Sequence, residues 1–259
     1  MLKKQLFSAI LILVFSSSIS WAETDKIIYK AIKKPSDIED INSPQVKPIA
    51  YTHVISLAKL DVKTKKKKFF NMMLPAILIS KSELDKDYKK VEKLSKADSI
   101  NQQDEKWLAA LQKRYRAKDN AELLIRMHTH PVSIVLAQSA IETGWGTSRF
   151  FVQAMNAFGV WSYNKNEPRV KARETRKGKA IYVKKYSSLN HTIDDYFVTL
   201  GRGGPYKQFR QKRMTVNNPL TLIKYLDQYS EIRGKYVKRL RSVINYNKLQ
   251  RFDHYHLAP

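Results

Sequence analysis

All eight glycines of this 259-residue chain lie at or after Gly144. A first half without glycine has no easy route to the positive-φ turns of tight hairpins, which restricts it to helices and extended connections. Apolar residues at helical spacing fill that half. Trp107, Leu108, Leu111 and Tyr115 share a core-facing side, and Leu123, Leu124 and Met127 come after a candidate cap at Asp119. Residues 60–127 are therefore predicted to form a helical part packed on the domain C-terminal to it. Pro75 interrupts one apolar segment and is expected to break the helix there, because proline removes an amide donor and clashes with the preceding turn. Just ahead, Lys65 to Lys68 run into Phe69 and Phe70. We read these lysines as a solvated helix end, with an anionic polymer or membrane surface as the alternative. Residues 23–59 carry Pro35, Pro44 and Pro48 without sustained periodicity and are expected to be an extended arm or linker lying on the domain.

The start of the chain reads as an export signal. Lys3 and Lys4 precede an apolar run from Leu6 to Phe15, and Ser20, Trp21 and Ala22 form a small-x-small cleavage site. Residues 1–22 are thus assigned to a signal peptide, which places the mature protein in the periplasm with no transmembrane span after cleavage. Cysteine is absent, so disulfides, thiolate metal sites and cysteine nucleophiles drop out together. The formal charge is +25, falling only to +23 when Lys3 and Lys4 leave with the signal. Such a balance calls for an anionic partner. For an exported protein that partner is not nucleic acid but peptidoglycan, with its peptide carboxylates, or another surface polyanion. His128 and His130 are spaced by one residue, as are His254 and His256, but no third ligand of the usual spacing accompanies either pair. We read the first pair as a solvated loop before a helix and expect no metal and no cofactor.

Residues 132–161, VSIVLAQSAIETGWGTSRFFVQAMNAFGVW, carry the chemistry. The segment opens as a helix apolar over most of its circumference, with Gln138 and Glu142 four residues apart on one face. Glu142 falls in the last turn, beside Gly144, Trp145 and Gly146. Apolar surroundings and the negative end of the helix dipole both disfavour a carboxylate, so the group there stays protonated to higher pH and can donate its proton to a leaving oxygen. The opposite reading, a carboxylate locked to Arg149 or to backbone amides, lowers the pKa instead. The residues alone leave the two readings level.

The run Ala137 to Ser148, followed by Asn156-Ala157-Phe158-Gly159-Val160, resembles the signature of bacterial peptidoglycan N-acetylglucosaminidases of glycoside hydrolase family 73, and the wider chain looks like the Bax-like proteins of Gram-negative bacteria within that group. The resemblance continues through Lys185-Tyr186-Ser187-Ser188 to about Tyr246. It implies a mainly α (α+β), lysozyme-like domain over residues 128–250, with a small β-lobe across a glycan groove and a C-terminal tail over 251–259. It also implies cleavage of the β-1,4 bond after N-acetylglucosamine, with Glu142 as general acid. Ile141, Thr143 and Ala157 depart from the common pattern without removing a catalytic group.

The β-lobe is expected between residues 162 and 185, where a Lys177-Gly178 turn precedes Ile181-Tyr182-Val183 and supplies the only β-like pattern in the chain. Glu167 and Glu174 are its acidic residues. Related enzymes place a second carboxylate on this lobe, and we assign that role to Glu174, inside the hairpin, over Glu167, which precedes Pro168 in a loop. Glycoside cleavage with two carboxyls inverts or retains according to their separation, and the substrate's own acetamido group offers a third route, with Tyr186 or Tyr206 to orient it. Gln138, Trp145, Phe158, Trp161, Tyr186 and Tyr206 are the expected substrate contacts, Tyr206 because the family commonly carries a tyrosine in that loop. A monomer is assumed. A muramidase or lytic transglycosylase, or a wall-binding protein without turnover, are the competing functions.

Overall fold

The computed structural model describes residues 26–259 except Lys177, and the backbone alone of Glu174 and Arg176. The proposed signal peptide therefore lies outside the described residues. Three short strands begin the described chain: β1 (Ile28–Ala31), β2 (Gln45–Val46) and β3 (Ile49–His53). Three helices come after them, α1 (Val62–Leu94), α2 (Gln102–Tyr115) and α3 (Asn120–Met127). Next are α4 (Val132–Thr143), α5 (Arg149–Ala154), and the strands β4 (Arg169–Arg176) and β5 (Lys179–Lys184). The rest is α6 (Leu189–Arg202), α7 (Lys207–Arg213), α8 (Pro219–Leu222), α9 (Gly234–Tyr246) and β6 (His256–Leu257). This is the mainly helical α+β architecture expected, with the β4–β5 antiparallel hairpin standing apart as its lobe.

Pro75 does not end a helix. α1 runs 33 residues through it, and every residue from Phe69 to Ser80 is buried. An interior proline costs roughly 3 kcal/mol. Burying twelve consecutive residues, Phe69, Phe70, Met72, Met73, Leu74 and Ile77 among them, outweighs that. The sequence pattern also understated the strands. β1 pairs in parallel with β3, Ile28 opposite Ile49, and β2 with β6, Gln45 opposite His256. At two to five residues each, they are too short for an alternating pattern to show. Their segment is built into the core, with Ile32, Ile38, Val46, Ile49, Tyr51 and Leu57 all buried. Asp40 clamps it to α1, accepting from Lys67 and Lys68 at 3.1 Å each and from Asn71 at 2.9 Å.

α4 is the central helix. Its residues from Val132 to Ala140 are buried on all sides, as its composition requires. Pro131 precedes it and offers no side-chain cap. The carboxylate of Asp253, from the end of the chain, takes that place, accepting from the Ser133 amide at 2.7 Å and the Ser133 hydroxyl at 2.9 Å. A negative group at a helix N-terminus is doubly favourable, as a hydrogen-bond acceptor and as a counter to the dipole. Asp253→Ala is expected to lower stability by about 1–2 kcal/mol, measured as the shift in denaturant midpoint.

Candidate active site

Glu142 reaches the surface on the last turn of α4, beside the partly exposed Ile141, while its carboxyl is partly enclosed at the Tyr236 hydroxyl. Three consecutive residues of positive φ end that turn: Gly144 at 56°, Trp145 at 62° and Gly146 at 78°. Gly146 is tightly enclosed, since a Cβ there would lie 3.1 Å from Leu57 Cδ1 and 3.2 Å from Phe69 Cδ2. Trp145 adopts the left-handed conformation without glycine's freedom, at a cost on the order of 1 kcal/mol. Packing compensates: its ring meets Phe69 and Phe70 edge-on, with centroids 6.0 and 5.5 Å apart, and its amide donates to the Ala140 carbonyl at 2.9 Å. Trp145 thus turns toward α1 and lines no part of the space before Glu142. The expectation of a sugar contact at Trp145 does not match this placement, because the left-handed turn reverses the chain.

Glu142 opens into a groove of about 620 Å³. The 158–167 segment supplies Phe158, Trp161, Tyr163 and Glu167, the hairpin supplies Lys184, and the helical side supplies Tyr196, Arg202, Tyr206 and Tyr229. Phe158, Trp161 and Tyr206 therefore meet around Glu142. Phe158 is buried and stacked on Tyr196 at 4.2 Å, so it serves as floor, while Trp161 and Tyr163 are exposed at the rim. Tyr186 stands behind this wall, and its hydroxyl donates to Asp195 at 2.8 Å. Asp195 also holds Lys184 at 2.9 Å, and Lys184 lies 3.7 Å from Glu167. Glu167, passed over in sequence as a loop residue, is thereby a second carboxylate lining the groove. Loops that border a cleft are where such groups belong. Glu174 lies on β4, but its side chain is outside the described residues.

Gln138 is fully buried and touches no groove. It shares the face of Glu142 but sits one turn deeper, where it forms the middle of a hydrogen-bonded relay. Arg213 Nη1 lies 3.4 Å from His130 Nδ1, and His130 Nε2 lies 2.8 Å from the Tyr196 hydroxyl. Tyr196 donates to Gln138 Oε1 at 2.6 Å, Gln138 Nε2 donates to the Tyr236 hydroxyl at 3.2 Å, and Tyr236 donates to Glu142 Oε1 at 2.9 Å. The polarity is set by the first member. A guanidinium only donates, so His130 Nδ1 accepts and Nε2 carries the hydrogen. Burial, first, and the charge of Arg213 hold the His130 pKa well below its usual value, so the ring is neutral. Every later link then points toward Glu142. His130 is accordingly a core residue and not part of a solvated loop, since its ring is enclosed by Tyr196, Phe197 and Phe209.

The carboxyl of Glu142 is hemmed in by tyrosines. Desolvation there pushes its pKa above the ordinary carboxylate value, against the Tyr236 hydrogen bond and the charge of Arg239. Burial and the nearby Glu142 charge raise Tyr206 in turn. Because Tyr236 occupies Oε1, an acid proton on this carboxyl is left to Oε2. In sequence, Tyr236 reads as scaffold. Its signal was available in principle, since a tyrosine on the buried face of a helix must find a partner for its hydroxyl. Among the described residues no group of three or more His, Asp or Glu side chains is arranged to hold a metal.

A family model described as glucosaminidase, mannosyl-glycoprotein endo-beta-N-acetylglucosaminidase, matches residues 117–249, just over half of the chain. Solved structures similar to this chain include the catalytic domain of the autolysin Auto from Listeria monocytogenes, 18% identical with a TM-score of 0.42 over 64% of this chain and 97% of that one. A peptidoglycan hydrolase from Sphingomonas sp. A1 is 22% identical with a TM-score of 0.39, over 56% of this chain and 85% of that one. The glycoside hydrolase domain of FlgJ from Salmonella typhimurium is 22% identical with a TM-score of 0.36, over 57% and 89%. No curated protein matches the chain.

Proposed function

For a chain that belongs to the glucosaminidase family of glycoside hydrolases, we propose a peptidoglycan hydrolase that cuts the β-1,4 bond after N-acetylglucosamine, with Glu142 as general acid. The observation that carries this reading is the placement of Glu142, whose carboxyl stands at an aromatic-lined groove with one oxygen hydrogen-bonded by Tyr236, and desolvation there raises its pKa. Such an acid remains protonated at a higher pH than a solvated glutamate and gives its proton to the departing glycosidic oxygen. Trp161 and Tyr163 offer exposed rings on which sugar faces pack, and Tyr206 stands beside the acid. Glu167, near Lys184, lines the same space as Glu142 and joins Glu174 as a candidate to activate water. Export by residues 1–22, with the mature chain starting at Glu23 in the periplasm, is the setting this substrate requires.

Digestion of purified sacculi followed by mass spectrometry of the fragments tests the bond assignment. The expected new reducing ends are N-acetylglucosamine. Reducing or anhydro ends on N-acetylmuramic acid would replace this reading with a muramidase or a lytic transglycosylase.

A further inference from the structure

A second cleft, of about 680 Å³, lies between the start of α1 and the end of α9. Among the described residues, Lys63, Lys66, Lys67 and Arg251 line it and no carboxylate does. The active-site groove differs in kind, since Glu142 and Glu167 there face Lys184 and Arg202. Three of the four cations are engaged, Arg251 only by the Phe252 ring, over which its guanidinium stands at 4.7 Å. Lys67 pairs with Asp40 at 3.1 Å, and Lys66 donates to Asn247 Oδ1 at 3.1 Å while standing 4.7 and 4.6 Å over the rings of Trp145 and Tyr246. Lys63 and Arg251 are exposed and have no carboxylate partner among the described residues.

The local sequence is unfavourable for the helix itself. α1 opens with lysines at 63, 65, 66, 67 and 68 and no acidic residue in its first turn, whereas the positive end of a helix dipole favours anions. Its cap, Asp61, is occupied by the amides of Lys63 and Thr64. Beside these two cations stands Tyr246, 82% exposed, and Phe70 and Phe252 line the same cleft. An exposed ring next to cations without carboxylate partners suits a ligand with both an apolar sugar face and acidic groups. Tyr236, bonded to Glu142, and Tyr246 lie ten residues apart on α9, about 15 Å along the helix axis.

We propose that this cleft is a second binding site for the substrate polymer, in which a sugar face packs on Tyr246 and stem-peptide carboxylates pair with Lys63 and Arg251. The ligand class rests on the peptidoglycan reading above. A strand held at both sites dissociates more slowly than one held at the groove alone, because the second contact is intramolecular. The cleft would therefore govern retention on the polymer and leave the chemistry to Glu142.

The test uses the full chain carrying Glu142→Gln, so that strands stay whole, and measures co-sedimentation with purified sacculi. Adding Lys63→Glu and Arg251→Glu is expected to weaken sedimentation roughly tenfold. Lys106→Glu with Lys113→Glu on α2, the same change in net charge, is expected to leave it near the parent. With Glu142 restored, the Lys63/Arg251 variant should cleave short peptide-free glycan fragments at the wild-type rate. Equal sedimentation of parent and cleft variant, or an equal loss in the α2 control, overturns the proposal. Sacculi stripped of stem peptides should erase the difference between parent and cleft variant, and an undiminished difference overturns the carboxylate assignment. The two readings fail separately. Sacculi cut by the wild type but bound equally by parent and cleft variant remove the cleft alone, whereas a chain that neither binds nor cuts sacculi removes the substrate from both sites.

Discussion

Glu142→Gln is expected to lower release of soluble fragments from purified sacculi by roughly 10²- to 10⁴-fold without loss of stability. The amide keeps the size of the side chain and an oxygen to accept from Tyr236, so the groove retains its shape. What disappears is the transferable proton. Stability separates this outcome from a structural role for the residue. The folded-state pKa of Glu142 is raised above the ordinary carboxylate value, chiefly by desolvation. Ionising this group is therefore harder in the folded protein than in the unfolded chain, and its stability contribution is best at low pH and declines as pH rises toward the folded value. Glutamine never ionises. The variant should be no less stable than wild type at neutral pH, and the two should converge in acid. A carboxylate that held the fold together would show the reverse, with glutamine clearly destabilising at neutral pH. Equal fragment release by the two proteins would remove Glu142 from the chemistry.

The helices and the position of Glu142 at the end of α4 were legible in the sequence because both rest on local rules. Helical spacing in residues 102–127, the absence of early glycine and the cap at Asp119 all act within a few positions, and α2 and α3 form where they predict. The hairpin turns at Gly178, whose φ of 72° glycine adopts freely. Pro75 misled because the local cost of a proline is visible in sequence, while the burial of the whole 69–80 segment that offsets it depends on partners far along the chain. The same holds for the site. Glu142 announces itself by its neighbours, but Gln138 and Trp145 could be assigned only to a helix face or a motif. Which face borders a cavity is settled by α1, by α9 and by three successive positive φ angles. Tyr236 and Arg213 lie 94 and 83 residues from their partners Glu142 and His130. No periodicity connects such pairs, and only the folded core brings them into one relay.

Tyr236→Phe is expected to produce the second-largest effect and a characteristic pH signature. Its hydroxyl is the last donor of the relay and the only side-chain hydrogen bond lowering the pKa of Glu142. Removing it disfavours the carboxylate further, so the alkaline limb of kcat/KM, governed by loss of the acid proton, moves to higher pH. The rate at the optimum falls in the same variant, because the acid loses the contact that fixes Oε1 and presents Oε2 to the leaving oxygen; misplacement of a catalytic group by about 1 Å costs on the order of 10²-fold. Some stability is lost as well. Gln138 Nε2 is buried and donates to the same hydroxyl, and an unsatisfied buried donor costs about 1–3 kcal/mol, so the profiles must be taken well below the melting temperature. A variant that is merely loosened would lose rate evenly across pH. Upstream, Arg213 bears on the same point, because its buried guanidinium, with its pKa lowered to about 9 by desolvation, sets the direction of every link down to Tyr236. A pH–rate profile for Tyr236→Phe whose alkaline limb stays in place, or moves down, would show that the relay orients nothing at Glu142.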